Sequence, residues 1–230
     1  MECSLFNVFK DLSVNNHIHT ESVTGVDLFK GSDENGTGLE KDIKDGLLEE
    51  GFQFVSLEEL STRGYDINNL LKSGRKDEVT RIFKDYGVDN IFTSIDSFPP
   101  DFIVFSNGKI YCVEAKKTGG NSIRYGDNLP KPDFIYVLRD TKNNIQTYYY
   151  GDEIISIDRG DKIQELREDF KEDVKKLIEK YDEVGELSNG LFSFSLRAGV
   201  GATKGGKKTN PSLSPYRKQR EQRVLETING

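Results

Sequence analysis

The sequence predicts an α/β (α+β) domain with a mixed β-sheet flanked by helices. Three observations predict it. Apolar residues recur at helical spacing in Leu39, Ile43 and Leu47 and again through residues 161–184. Between those stretches lie several short runs rich in β-branched and aromatic residues. One pair of these runs is joined by Asn107-Gly108, the strongest short-range signal for a β-hairpin. The length, 230 residues, suits one core with embellishments.

In chain order, residues 1–36 read as a polar, irregular segment ending in the turn-rich Gly31-Ser32-Asp33-Glu34-Asn35-Gly36. Thr37 or Gly38 caps the first helix and Gly51 stops it. Residues 57–72 and 75–86 read as two further helices, with Leu57, Leu60, Leu70 and Leu71 in one and Val79, Ile82 and Phe83 in the other; Gly87 ends the second. Strands follow over Ile91–Ile95, Phe102–Phe105, Ile110–Ala115, Phe134–Leu138 and Ile145–Tyr150. A charged amphipathic helix spans 161–184, striped by Ile163, Leu166, Phe170, Val174, Leu177 and Ile178. Its uses are core packing, a solvated helix or a coiled interface. Leu191–Leu196 alternates like one more strand, followed by a Gly-rich loop over 199–206 and a basic end. The expected organisation is a single domain over 1–230, with a core in 37–190 and a basic C-terminal segment in 191–230.

Composition narrows the classes. Fourteen Phe and ten Tyr supply a core, so full disorder is not expected. No apolar run approaches the roughly 18 residues a membrane span needs. The start shows no basic and apolar leader pattern. Two cysteines, Cys3 and Cys112, make neither a disulfide scaffold nor a Cys-rich zinc site. A reduced, cytoplasmic setting is the simplest expectation. The net charge of −7 argues on its face against nucleic acid. Its distribution argues otherwise. The first 190 residues carry 24 basic and 37 acidic residues, while Leu191–Gly230 carry eight basic and two acidic. That asymmetry suggests either a surface for an anionic partner or a solvated, disordered basic tail.

The hairpin can be given a register. With Asn107 and Gly108 as turn residues, Ser106 faces Lys109, Phe105 faces Ile110, and the pairing runs back to Asp101 opposite Glu114. Directly opposed side chains share a sheet face with Cβ atoms about 5 Å apart. Lys116, two residues beyond Glu114, points the same way. Two carboxylates and an ammonium therefore converge at a sheet edge. Opposed like charges destabilise a sheet, and a divalent cation resolves the conflict. An all-oxygen set suits Mg²⁺, which takes one or two carboxylates plus substrate phosphate.

Pro100-Asp101 followed by Glu114-Ala115-Lys116 resembles the signature of the PD-(D/E)xK nucleases. The tripeptide alone is weak, since it occurs five times, at 42–44, 114–116, 140–142, 169–171 and 173–175. Only 114–116 ends an apolar strand with Pro-Asp upstream. The resemblance implies a restriction-endonuclease-like core. It implies that Asp101 and Glu114 bind Mg²⁺ (with Mn²⁺ able to substitute), assisted by the backbone carbonyl of Ala115. It implies that Lys116 assists the attacking water and that Glu40, on the first core helix, adds a further acid. The segment 119–133, rich in Gly, Pro and Asn, does not read as helical, which departs from many members. It resembles the polar loop of type II restriction endonucleases in that place.

In that loop Asn121, Ser122, Arg124, Asn128 and Lys131 are candidate DNA contacts. In the basic segment the candidates are Arg197, Lys204, Lys207, Lys208, Arg217, Lys218 and Arg220. His17-Ile18-His19, on a strand-like stretch, lacks a third ligand and reads as surface. Cys112 reads as a buried structural thiol.

The expected function is thus a Mg²⁺-dependent, sequence-specific endodeoxyribonuclease like a type II restriction enzyme of a restriction-modification system. It would hydrolyse double-stranded DNA to 5′-phosphate ends through a water activated at the metal. A palindromic site implies a homodimer. Two rivals stand beside it: a structure-specific repair, recombination or phage nuclease of the same fold, and a non-catalytic nucleic-acid-binding or DNA-mimicking regulator.

Overall fold

The sheet is organised around the Asn107-Gly108 turn. The structure, a computed structural model, describes residues 5–18, 37–95, 99–119, 123–125, 129–182, 199–200 and 210–229. In chain order its helices are α1 (Leu5–Ile18), α2 (Thr37–Glu49), α3 (Leu57–Thr62), α4 (Ile67–Lys72), α5 (Lys76–Asp85), α6 (Ile157–Tyr181) and α7 (Arg217–Asn229). The strands are β1 (Gln53–Phe54), β2 (Ile91–Ser94), β3 (Phe102–Ser106), β4 (Lys109–Thr118), β5 (Ile123–Arg124), β6 (Phe134–Asp140), β7 (Ile145–Tyr150) and β8 (Gly199–Val200).

Asn107 and Gly108 both have positive φ, 51° and 70°, as a type I′ turn requires. The β3–β4 register runs from Ser106 opposite Lys109 to Phe102 opposite Val113, as the sequence predicts. The main sheet is mixed, in the order β1-β2-β3-β4-β6-β7. β1 is parallel to β2, and β4 is parallel to β6; the remaining neighbours are antiparallel. Together with its helices this makes an α+β protein. No helix among the described residues is long and apolar enough to cross a membrane.

Period-two alternation gives each strand two faces. One face presents Phe92, Phe102, Val104, Tyr111, Val113, Ile135, Val137, Tyr148 and Tyr150, and it is covered by α1, α2 and α7. Leu39, Ile43 and Leu47 are the buried row of α2, four residues apart as the sequence predicts. The other face presents Ile91, Ile103 and Phe105 to α3, α4 and α5. Further along, it presents Cys112, Phe134, Tyr136, Leu138 and Tyr149 to Ile123 and Tyr125.

Several expectations are corrected here. The first 36 residues are not irregular throughout: α1 places Leu5, Val8 and Phe9 in the core, 1–3% exposed. Burial of such side chains contributes about 1.5–3 kcal/mol each, and Phe9 packs edge-on against Tyr148, centroids 5.2 Å apart. His17 and Ile18 lie on this helix, not on a strand-like stretch. The expected helix 57–72 is two helices, broken where Gly64 takes φ +87°. The charged helix starts at Ile157 and does not join the core: Leu166, Phe170, Leu177 and Tyr181 are exposed. Gly199–Val200 is a strand, β8, paired with β5, rather than part of a loop.

The basic end also differs from a segment reaching freely for an anion. Residues 217–229 fold as α7, whose Val224 and Ile228 are 0–1% exposed in the core. Arg223 makes a two-pronged ion pair with Asp152, both contacts 2.9 Å. The expected strand 191–196 lies outside the described residues, as do His19 and Cys3.

Parallel β4 and β6 need a crossover, for which a helix is the usual solution. The described part of this connection contains no helix. It contains β5, with Ile123 and Tyr125 buried under the sheet at 1% and 4% exposure, an anchor that the polar reading of 119–133 did not anticipate.

Candidate active site

Asp101 immediately precedes β3. Its carbonyl accepts the Ile95 N–H at 2.8 Å. Its side chain continues the hairpin ladder, Oδ2 accepting the Ala115 N–H at 2.6 Å. That bond ties Asp101 to the β4 residue next to Glu114. Glu114 is 3% exposed, in register with Tyr136 of β6. Its Oε1 accepts from the Lys116 ammonium. Its Oε2 is buried and accepts no hydrogen bond. Asp101, Glu114 and Lys116 are therefore brought together as the register predicts, on the face opposite α2.

The electrostatics follow from that burial. Burial pushes the Asp101 carboxyl above its ordinary 3.8, opposed by the Ala115 N–H and by Lys116. Burial likewise raises Glu114 above 4.5; Lys116 opposes this and the Asp101 charge adds to it. Both groups hold protons more tightly folded than unfolded, so stability falls as pH rises from about 4 through their raised values. Asp101→Asn, which keeps an oxygen for Ala115 N–H, is expected to raise the melting temperature at neutral pH. The gap should close below pH 4, and a scan of melting temperature against pH measures it. A variant that melts below the wild type at pH 7 would contradict this account.

The other expected site residues are placed as follows. Glu40 lies in the first turn of α2, which packs on the other face of the sheet. Among the described residues no three of His, Cys, Asp and Glu form a group able to hold a metal ion. The site thus has two carboxylates, a number that suits Mg²⁺ completed by water and phosphate oxygens. The unpartnered Oε2 of Glu114 is the atom such an ion would satisfy. Lys131 is exposed, its ammonium 4.9 Å from the Phe134 ring centroid. Its N–H donates to the Tyr136 hydroxyl at 2.8 Å. Arg124 is in β5. Arg217 lies 3.6 Å from Glu221, Lys218 is exposed, and Arg220 donates to the Glu153 carbonyl at 3.3 Å. Asn121, Ser122, Asn128, Arg197, Lys204, Lys207 and Lys208 lie outside the described residues.

Cys112 is 2% exposed and its thiol is pushed up to about 11 by burial. It is protonated at neutral pH and reads as structural, as expected.

Two features escaped the sequence reading. Lys76, at the start of α5, pairs with Asp133 and lies 5.1 Å from the Phe134 ring centroid, the same ring that Lys131 approaches. Asp140, at the end of β6 and opposite Thr118, is fully buried and accepts five hydrogen bonds. Two come from the Lys142 and Asn143 N–H groups, both 3.1 Å, and one from Asn143 Nδ2 at 2.7 Å. The others come from Asn210 Nδ2 at 2.7 Å and the Ser212 hydroxyl at 2.6 Å. This carboxylate docks the chain leading into α7 on the face that carries Glu114 and Lys116. The Asp140-Thr141-Lys142 tripeptide, one of the five D/E-x-K occurrences, is thus a turn built around a buried acceptor.

Comparison with family models, with curated proteins and with solved structures gives no match for this chain.

Proposed function

We propose that the protein is a Mg²⁺-dependent endodeoxyribonuclease that cuts double-stranded DNA sequence-specifically, in the manner of a type II restriction enzyme of the PD-(D/E)xK family. One observation carries the reading. A buried and a half-buried carboxylate converge with a lysine at one end of the β3–β4 hairpin, with Glu114 Oε2 unpartnered. As scaffolding this is a poor arrangement, because buried charges and unmet acceptors cost stability. It makes sense where a cation and a phosphate complete it. The mixed sheet supports a restriction-endonuclease-like core, with β3 and β4 as the catalytic hairpin.

Asp101 and Glu114, with the Ala115 carbonyl, would hold Mg²⁺. When bound, the ion supplies positive charge against that building on the phosphate oxygens and acidifies water. The Ala115 N–H fixes the Asp101 carboxylate in orientation. Lys116 stands beside the carboxylates, where its ammonium can orient the attacking water in line with the scissile bond. Hydrolysis leaves a 5′-phosphate and a 3′-hydroxyl. Lys131, Arg217, Lys218 and Arg220, with Asn121, Ser122, Arg124, Asn128, Arg197, Lys204, Lys207 and Lys208, are the proposed DNA contacts.

The test is digestion of a complex DNA with purified protein and Mg²⁺, followed by sequencing of the ends. Discrete fragments sharing a terminal sequence and 5′-phosphates are expected. Cutting confined to junctions or flaps would replace sequence specificity with structure specificity. Neither nicking nor cutting with Mg²⁺ or Mn²⁺ would remove the enzymatic reading.

A further inference from the structure

A cluster of charge borders Glu114 from outside the hairpin and the basic end. Lys76, from α5, pairs with Asp133, and its ammonium is 5.1 Å from the Phe134 ring centroid. The Lys131 ammonium is 4.9 Å from the same centroid, so the two nitrogens lie no more than 10.0 Å apart. Phe134 stands in register with Cys112, and the charges of Lys76, Lys131 and Asp133 all act on the Cys112 thiol. Cys112 and Glu114 alternate onto one face of β4, two residues and about 7 Å apart. The cluster therefore lies one pleat away from the carboxylates. Two ammoniums share one carboxylate there: Asp133 pairs with Lys76, and Lys131 makes no ion pair among the described residues. In a chain of net charge −7, a spare cation beside this site has an anion as its natural partner.

We infer that Lys76 is a substrate-positioning residue: held by Asp133 in the free protein, it turns to the backbone phosphate next to the scissile one when DNA binds. This rests on the proposed nuclease function and adds to it a residue from α5. The hold is weak, because both partners reach solvent, with side chains 34% and 60% exposed. A phosphodiester offers the ammonium the same charge that Asp133 does, so the exchange needs little driving force. The spacing fits. Successive phosphates on one DNA strand rise by about 3.4 Å, and groups about 7 Å apart on β4 reach phosphates one or two steps apart. An ion at Glu114 then meets the scissile phosphate while Lys76, with Lys131 beside it, meets its neighbour. Phe134, 3% exposed, keeps both ammoniums in place by attraction to its ring. Fixing the neighbouring phosphate holds the scissile one in line with Lys116 and the attacking water. A structural salt bridge and a reserved phosphate ligand make opposite demands on Asp133. In the first its charge supports the arrangement; in the second it competes with the substrate.

The test removes each charge in turn. Binding of a labelled DNA duplex to the full chain is followed by anisotropy, with Ca²⁺ in place of Mg²⁺, over a salt series. Lys76→Gln is expected to weaken binding on the order of fivefold and to lower the slope of log affinity against log salt by about one. Lys76→Arg should restore both. Asp133→Asn frees the ammonium and removes a repelling charge, so it should tighten binding on the order of threefold. With Mg²⁺, Lys76→Gln should raise the DNA concentration for half-maximal cleavage more than it lowers the rate at saturation. Wild-type affinity and salt slope in Lys76→Gln would overturn the inference. So would weaker binding in both Lys76→Gln and Asp133→Asn, the result of a purely structural ion pair. A wild type that binds the duplex with the expected pattern of variants but never cuts would remove the nuclease reading and keep Lys76 as a phosphate contact. A wild type that neither binds nor cuts would overturn both.

Discussion

Replacing Glu114 or Lys116 with alanine is expected to lower the proposed Mg²⁺-dependent DNA cleavage by at least about 10²–10³-fold, the scale seen when a preorganised charge-stabilising group is removed. The reason is local. Glu114 offers the buried, unpartnered Oε2, and Lys116 supplies the adjoining ammonium. Glu114 cannot be replaced by a neighbour, because the flanking β4 side chains, Val113 and Ala115, lie on the opposite face in the core. The measurement is single-turnover cleavage of plasmid DNA, alongside DNA binding by anisotropy with Ca²⁺ in place of Mg²⁺. Lost cleavage with retained binding is expected. Cleavage at the wild-type rate in either variant would remove these residues from the chemistry. The same variants should not collapse the fold: burial already disfavours the Glu114 charge, and Lys116 reaches the surface with a side chain 19% exposed.

The largest stability effect is expected at Asp140. Asp140→Ala strips the acceptor from Asn210 and Ser212, which are 1% and 3% exposed, and from the turn N–H groups of Lys142 and Asn143. Leaving buried donors unmet costs about 1–3 kcal/mol each. Part of this relaxes by exposure of the C-terminal segment, so a loss of about 3 kcal/mol is expected. That corresponds to roughly 6–12 °C in melting temperature for a domain of this size. The hydrogen bonds from Ser212, Asn143 and Asn210 overcome the opposing effect of burial and hold the Asp140 carboxyl below its ordinary 3.8. Its contribution is therefore fully present above about pH 4 and lost as pH falls through the depressed value. The difference between wild type and variant should shrink in acid, as thermal melts over a pH series would record. A melting temperature within a degree of wild type at pH 7 would show that the clamp carries no stability.

How much was legible beforehand depends on the range of the interaction. Glu114 and Asp101 could be placed together because only a two-residue turn separates their strands. An Asn-Gly turn sets the register, and alternation does the rest. The burial of Leu39, Ile43 and Leu47 was equally local. α1 was legible too, though unread: Leu5, Val8, Phe9 and Leu12 recur at i, i+3, i+4 and i+7, a helical signal hidden by polar neighbours. α7 was not, because Val224 and Ile228 make too thin a stripe and become core only when the sheet lies beneath them. Asp140 was opaque for the same reason, since its partners Asn210 and Ser212 lie 70 and 72 residues away.

By itself, then, the sequence determined the α+β class, the β3–β4 hairpin and the face shared by Asp101, Glu114 and Lys116. These depend on periodicity and turn chemistry, which act over a few residues. Only the tertiary structure decided which helices cover which face, what becomes of the basic end and whether the stripe on α6 is core. There Arg223 is drawn into a pair with Asp152, and the α6 stripe is left in solvent. An apolar stripe specifies that something must cover it, but the identity of the cover depends on where the rest of the chain has already packed.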